Sequence, residues 1–329
     1  MTNPRILIGG KNVGRAEVKR KELREGLRGA KPFVAVGAHD AMSARLIEDY
    51  GFDAVWVSGF GVSTMAYAIP DLNLITMTEA LAAATRMNAA TTLPVVADCD
   101  NGFGALSNVV RTVREYERAG IAGICVEDNA FPKRNSLYKT GSDRELVPLK
   151  EQARRIRAGK GAQETDDLVF IARVEALIAG HGVEEACRRA DAYVDAGADA
   201  ILISSCDETL SEIEEFLSRW QGLGEVPLVA VPTLFPTFTT EQLYEKGFQM
   251  IILANQLMRA SVKAIEDTLQ TLREERNAAS VEQQIAPIDH IFRLVKTEAA
   301  IDLESKLDQG PGDFGPELLG EASLLSGMK

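Results

Sequence analysis

PVVADCD (residues 94–100) and, a helix-length further on, GICVED (123–128) are the stretches that decide the fold. Each is a short apolar run, rich in β-branched residues, that ends in acids. Such a run suits a strand buried on both faces of a parallel sheet. Six more runs of the same kind occur: FVAVGAHD (33–40), AVWVSG (54–59), FIARVEA (170–176), AILISS (200–205), PLVAVPT (227–233) and MIILAN (250–255). Amphipathic segments such as AMSARLIEDYG, SNVVRTVREYERAG and VEEACRRADAYVDAG separate them, and Gly51, Gly120, Gly197 and Gly247 stand where helix C-caps are needed. Eight strand-then-helix units in 329 residues predict a closed α/β architecture, a (β/α)8 TIM barrel, rather than an open doubly wound sheet. No GxGxxG follows the first run, which also disfavours a dinucleotide-binding fold.

Around that barrel the sequence predicts an N-terminal helix over 16–28 and extra C-terminal helices over 256–276 and 282–307. Residues 1–307 read as a single domain, and 308–329, rich in Gly and Pro, as a flexible tail. The formal net charge of −12 argues against a nucleic-acid partner, because phosphate contacts need Lys and Arg. No apolar run approaches the ~20 residues that span a bilayer, so no membrane partner is expected. The first residues lack the apolar core of a signal peptide. Cys99, Cys125, Cys187 and Cys206 show neither CxxC nor Cys/His spacing, which excludes a zinc site and points to the reducing cytoplasm.

Barrel active sites lie at the C-terminal strand ends. Asp98 and Asp100 share one face of the third strand, Glu127 ends the fourth, and Arg173 and Glu175 alternate in phase on the fifth. Carboxylates gathered in a dry pocket repel one another unless a cation sits among them. Oxygen ligands without His or Cys suit Mg²⁺, or Mn²⁺, rather than zinc. Asp128 and Asp40 are read as helix caps. Cys99 should face outward into the helix layer. The segment NAFPKRNSLY (129–138) is placed to act as a lid, with Lys133 and Asn135 as donors to an anionic substrate. Arg173 offers a two-pronged contact to a carboxylate or phospho group. The partner implied is a small, strongly anionic molecule, which the resemblance described next narrows to a 2-oxo or enol acid.

These motifs carry a resemblance. AHDAMSARL (38–46), WVSGFGVS (56–63), PD (70–71), DCDNGFG (98–104), VEDNAFPKRNSL (126–137), IARVEALIAG (171–180), GADAIL (197–202) and VPT (231–233) are similar to the isocitrate lyase/phosphoenolpyruvate mutase superfamily from about residue 33 to about 305. C–C lyases of that superfamily carry K-[KR]-C-G-H after the fourth strand, with a catalytic Cys. FPKRNS here lacks it and resembles the phosphoenolpyruvate mutase branch, which interconverts phosphoenolpyruvate and phosphonopyruvate. Phosphonopyruvate hydrolases tend to have Thr at the position of Asn135, so the hydrolase reading ranks second, and a C–C lyase or a non-catalytic barrel lower still.

The resemblance implies a Mg²⁺ site at Asp98, Asp100 and Glu127, with Asp98 the direct ligand. It makes Asp71 the catalytic aspartate, as nucleophile or as orienter of the migrating phosphoryl group. Ser58, Gly59 and Phe60 would cradle the substrate carboxylate, Arg173, Asn135 and Ser136 would hold phosphoryl oxygens, and Lys133 would close with the lid. A homo-oligomer that exchanges terminal helices is implied as well. Three positions depart from the branch: Ser204 stands where it has His, Asn129 where it has Lys, and Asn101 where it has Thr. The exact substrate is therefore left open. Tyr67 near Asp71 and His39 at the end of the first strand are further candidates for the mouth.

Overall fold

The computed structural model of the chain describes residues 10–138 and 144–308. Eight strands, β1 (Phe33–Ala38), β2 (Ala54–Val57), β3 (Val95–Asp98), β4 (Gly123–Glu127), β5 (Val169–Val174), β6 (Ala200–Ile203), β7 (Leu228–Ala230) and β8 (Phe248–Leu253), close a barrel in sequence order. Every neighbouring pair is parallel, and β8 returns to β1 through Phe33–Met250 and Val36–Leu253. The predicted TIM barrel is present, as is the predicted N-terminal helix, α1 (Gly10–Gly26).

Helices cover the strands on the outside: α2 (Ala41–Asp49), α3 (Gly59–Tyr67), α4 (Met77–Ala90), α5 (Leu106–Arg118), α6 (Leu149–Lys160), α7 (Gly182–Asp195), α8 (Ser211–Arg219) and α9 (Thr240–Glu245). Local chemistry starts and stops them. Asp40 caps α2 as expected, accepting from the Ser43 N–H in a capping box, and Thr76 with Glu79 does the same for α4. Gly51, Gly120, Gly197 and Gly247 all have positive φ, where a Cβ would be strained.

Alternation along the strands divides the core in two. Ala54, Trp56, Val96, Cys125, Ile171, Leu202, Val229 and Ile252 fill the barrel, whereas Val55, Ala97, Ile124, Ala172, Ile201 and Ala230 pack outward against the helices. Cys99 and Tyr116 belong to that outer layer, as the alternation requires. At the lower end of the barrel, Leu23 and Leu27 of and after α1 join the inner cluster. Buried Lys19 anchors α1 there, donating to the carbonyls of Asn88 at 3.0 Å and Thr91 at 2.9 Å.

The C-terminal expectation needs one correction. After α10 (Gln256–Glu275), the segment read as one helix over 282–307 divides into α11 (Ile288–Leu294) and α12 (Thr297–Asp308). The break falls at Lys296, whose φ of 55° leaves the right-handed helical region. The expected tail lies outside the described residues apart from Asp308 at the end of α12.

Candidate active site

The inner phase of the strands, followed upward, ends in polar residues. Beyond Trp56 comes Ser58, beyond Val96 comes Asp98, beyond Cys125 comes Glu127, beyond Ile171 come Arg173 and Glu175, and beyond Leu202 comes Ser204. A cavity of about 80 Å³ opens at this end, lined by Ser58, Phe60, Asp71, Asp98, Glu127, Lys133, Asn135, Ser136, Arg173 and Ser204 among others. Ten of the twelve sequence-predicted site residues thus meet at one mouth. The remaining two sit just behind it. A Cβ on Gly59 would lie 3.2 Å from Asp98 Oδ2 and 3.3 Å from Asp100 Oδ1, so glycine lets the two carboxylates approach the start of α3. Asp100 is itself buried, with a φ of 50°.

The lid segment is folded down onto the acids. Lys133 was expected to reach a substrate from above; instead its ammonium is buried, 2.9 Å from Asp71 Oδ1 and bonded to Asp100 Oδ1. Burial by itself would lower the Lys133 pKa, yet Asp100, Asp71, Asp98 and Glu127 together raise it well above the ordinary value. Asp71 and Asp100 pair with the ammonium directly, and Asp98 and Glu127 add to the field that favours its charge. Asn135 donates from Nδ2 to Asp71 Oδ2 at 2.8 Å. Asn73, which alternation could not flag because it lies on a loop, donates to Asp100 Oδ2 at 3.0 Å and accepts the Lys133 N–H at 2.7 Å. Arg144 ties the segment in place by donating to the carbonyls of Arg134, Asn135 and Tyr138.

Arg173 is oriented on two sides. Its Nε lies 2.5 Å from Glu175 Oε1 and 3.7 Å from Glu127 Oε2, while Nη2 donates to Ser136 Oγ at 2.7 Å. Ser136 in turn donates to Glu175 Oε2 at 2.8 Å. Burial opposes the guanidinium charge, but Glu175 and Glu127 more than offset it and the Arg173 pKa is raised. Glu127 is pushed up to about 8, chiefly by burial, with Lys133 and Arg173 pulling the other way. Burial likewise pushes Asp100 up to about 6 against the pull of Lys133. Such pressure on buried acids is relieved by positive charge.

The donor set fits a hard divalent cation. Asp98, Asp100 and Glu127 offer only oxygens, and Asp98 and Asp100 both bring one close to Gly59. Among the described residues no three His, Cys, Asp or Glu groups stand close enough to ligate one ion together. An ion here would be held by one or two of these carboxylates together with water, as Mg²⁺ commonly is.

Three other readings change. Asp128 is no solvent-facing cap: it is wholly buried and accepts from Arg189 Nη1 at 2.9 Å, from Tyr193 Oη at 2.7 Å and from the Glu175 N–H at 2.9 Å. A strand-end aspartate reads as a cap in sequence, because its side-chain partners, Arg189 and Tyr193, lie more than sixty residues away. Tyr67 is largely exposed and His39 is buried beneath Gly61, and neither lines the cavity. Ser58 caps α3, accepting the Gly61 N–H at 3.0 Å.

Comparison with known proteins agrees with this geometry. Residues 23–273 match the family model described as phosphoenolpyruvate phosphomutase. The phosphoenolpyruvate phosphomutase of Tetrahymena pyriformis is 40% identical over 257 residues, spanning 78% of this chain and 84% of its own. The crystal structure of the Streptomyces platensis subsp. rosaceus phosphoenolpyruvate phosphomutase superposes with a TM-score of 0.84 at 39% identity, over 88% of this chain and 99% of the other. That of a phosphonopyruvate hydrolase in complex with oxalate and Mg²⁺ does so with a TM-score of 0.81 at 37% identity, over 87% and 98%. Barrel, acidic mouth and lid together have the same meaning as these likenesses: the chain is a member of the phosphoenolpyruvate phosphomutase family.

Proposed function

We propose that this protein is a Mg²⁺-dependent phosphoenolpyruvate mutase, an isomerase of phosphonate metabolism that moves a phosphoryl group within one small substrate. The observation that carries the reading is Lys133 of the lid paired with Asp71 and Asp100 in a cavity that Asp98, Glu127 and the Glu175-held Arg173 also line. In the forward direction the P–C3 bond of phosphonopyruvate breaks and a bond forms between phosphorus and the C2 oxygen, giving phosphoenolpyruvate; no atom enters or leaves. Asp98, Asp100 and Glu127 would hold a divalent cation, Mg²⁺ or Mn²⁺, directly or through water, and it would supply neutralisation of negative charge on the substrate.

The chain's own groups do the rest. Ser58, Gly59 and Phe60 receive the carboxylate at the N-terminus of α3. Arg173, Asn135 and Ser136 take the phosphoryl oxygens, with Glu175 fixing the guanidinium plane. Asp71, held by Lys133 and Asn135, faces the phosphoryl group as nucleophile or orienter. Lys133 and the lid exclude water, and positioning with charge neutralisation suffices for a phosphoryl transfer of this kind. Ser204 borders the same space.

Phosphonopyruvate hydrolysis is the second reading, favoured by the likeness to the hydrolase structure and opposed by Asn135. Phosphorus NMR of phosphonopyruvate with the Mg²⁺-loaded protein separates the two. The mutase reading predicts the phosphoenolpyruvate resonance; inorganic phosphate alone would establish the hydrolase, and an unchanged spectrum would remove both.

We further place the protein in the cytoplasm, in keeping with four cysteines scattered without CxxC or Cys/His spacing. No described helix is long and apolar enough to cross a membrane. A homo-oligomer is supported by the exposed apolar residues Ile265, Leu269, Ile288, Phe292 and Ile301 on α10, α11 and α12. Light scattering should give more than one chain per particle, and Phe292→Glu should lower that number.

A further inference from the structure

The charges of the cavity come from one side of the barrel. Asp71, Asp98, Glu127, Lys133, Arg134 and Arg173 all belong to β3, β4, β5 or the loops that follow β2 and β4. The ends of β6, β7 and β8 contribute Ser204, Thr233 and Asn255, which carry none. Two of these neutral residues hold unmet hydrogen-bonding capacity. Asn255 is 3% exposed and donates from Nδ2 to Thr233 Oγ1 at 3.0 Å. Its Oδ1 is buried and has no partner among the described residues, and the same is true of Ser204 Oγ. Asn255 occupies the N-cap position of α10 without making the side-chain bond that such a residue ordinarily makes. Its side chain is turned to another purpose.

Buried polar atoms are nearly always paired, and an exception calls for a missing partner. An anion is a poor partner here, because the cavity's cations, Lys133, Arg134 and Arg173, are supplied by the lid and β5, and a charge set against uncharged amide and hydroxyl groups would stay uncompensated. An alkyl group would leave both atoms unmet. A hydroxyl, which donates and accepts, satisfies the amide oxygen and the serine together.

We propose that Ser204 and Asn255, backed by Thr233, form a specificity subsite for a neutral hydroxyl on the substrate. The substrate class is then an anionic 2-oxo or enol phospho- or phosphono-acid carrying one small hydroxyl substituent. This inference rests on the mutase reading for the phosphoryl group, but its contacts are made by different residues. Ser204 and Asn255 set which acid is accepted and take no part in the bond exchange.

Malonate and tartronate, which differ by one hydroxyl, make the probe pair. Calorimetric titration of the Mg²⁺-loaded protein should show tartronate binding at least tenfold tighter. In Ser204→Ala and in Asn255→Leu the tartronate-to-malonate ratio should fall at least fivefold, whatever happens to the affinity for malonate. Ser204→Ala deletes a single oxygen, so it serves as the test if Asn255→Leu folds poorly. A wild-type ratio within twofold of unity would overturn the subsite. So would a large ratio that survives in the variants, since the hydroxyl would then be meeting the metal or water. Phosphonopyruvate turnover in the same preparation separates the two proposals: a variant-sensitive ratio without turnover supports the subsite and counts against the mutase reading.

Discussion

The barrel mouth has two unlike halves. From the loop after β2 round to β5 it is crowded with charge, and nearly every polar atom there is paired, often twice: Lys133 with Asp71 and Asp100, Asn135 with Asp71, Arg173 with Glu175 and Ser136. From β6 to β8 it is uncharged, and Ser204 and Asn255 keep unpaired atoms. The difference separates reaction from recognition. Charged groups that must meet a phosphoryl group are oriented in advance by one another, at a cost to stability that the folded barrel carries. Neutral groups can wait unpaired for a ligand at a cost of about 1–3 kcal/mol each.

The comparison can be broken most directly at Asp71. Asp71→Ala removes the group facing the phosphoryl position, and kcat for phosphonopyruvate should fall about 10³-fold. Far-ultraviolet circular dichroism should stay unchanged, since Asp71 lies on a loop. Arg173→Lys keeps the charge but loses the planar fork, so kcat/KM should drop about 10²-fold. A smaller kinetic change at either position would mean that the charged half does not carry the reaction.

Glu175→Ala tests the advance orientation itself. It leaves the partly buried Arg173 with Glu127 at 3.7 Å as its remaining paired acid, and denaturant unfolding should show a loss of about 3 kcal/mol. Asn135→Thr sharpens the distinction between transfer and hydrolysis. The share of inorganic phosphate among products, read by phosphorus NMR, should rise severalfold while total turnover declines.

The smallest effect lies at the far end of the barrel, where charge has no reaction to serve. Burial lowers Lys19 from 10.5 to about 7, with Arg15 adding to the fall and Glu48 opposing it. Between those values the unfolded chain binds more protons than the folded one. The stability contribution is therefore complete above pH 10.5 and lost as pH falls through 7. Unfolding free energies taken from pH 7 to pH 9 should rise less steeply for Lys19→Met than for the wild type.

Period-two alternation made the charged half legible in sequence. Asp98, Glu127 and Arg173 sit on strands, where spacing alone says which way a side chain points. The eight runs likewise announced the barrel. What spacing could not supply were partners brought in by loops and distant helices. Asn73 reaches the lid across the fold, Arg144 folds back on it from further along the same loop, and Arg189 and Tyr193 convert Asp128 from an apparent cap into a buried anchor for β5. The break between α11 and α12 was hidden too, because Lys296 is an ordinary helix former in sequence and only its φ reveals the turn. Asn255 escaped notice for a related reason: following a strand and preceding a helix, it reads as a cap.

The central claim is that Asp98, Asp100 and Glu127 create a place for a divalent cation which the substrate then shares. Calorimetric titration with oxalate, with and without Mg²⁺, tests it most directly. The account predicts binding that requires Mg²⁺ and is lost in Asp98→Asn. Equal oxalate affinity in the absence of Mg²⁺, or undiminished binding by Asp98→Asn, would contradict it.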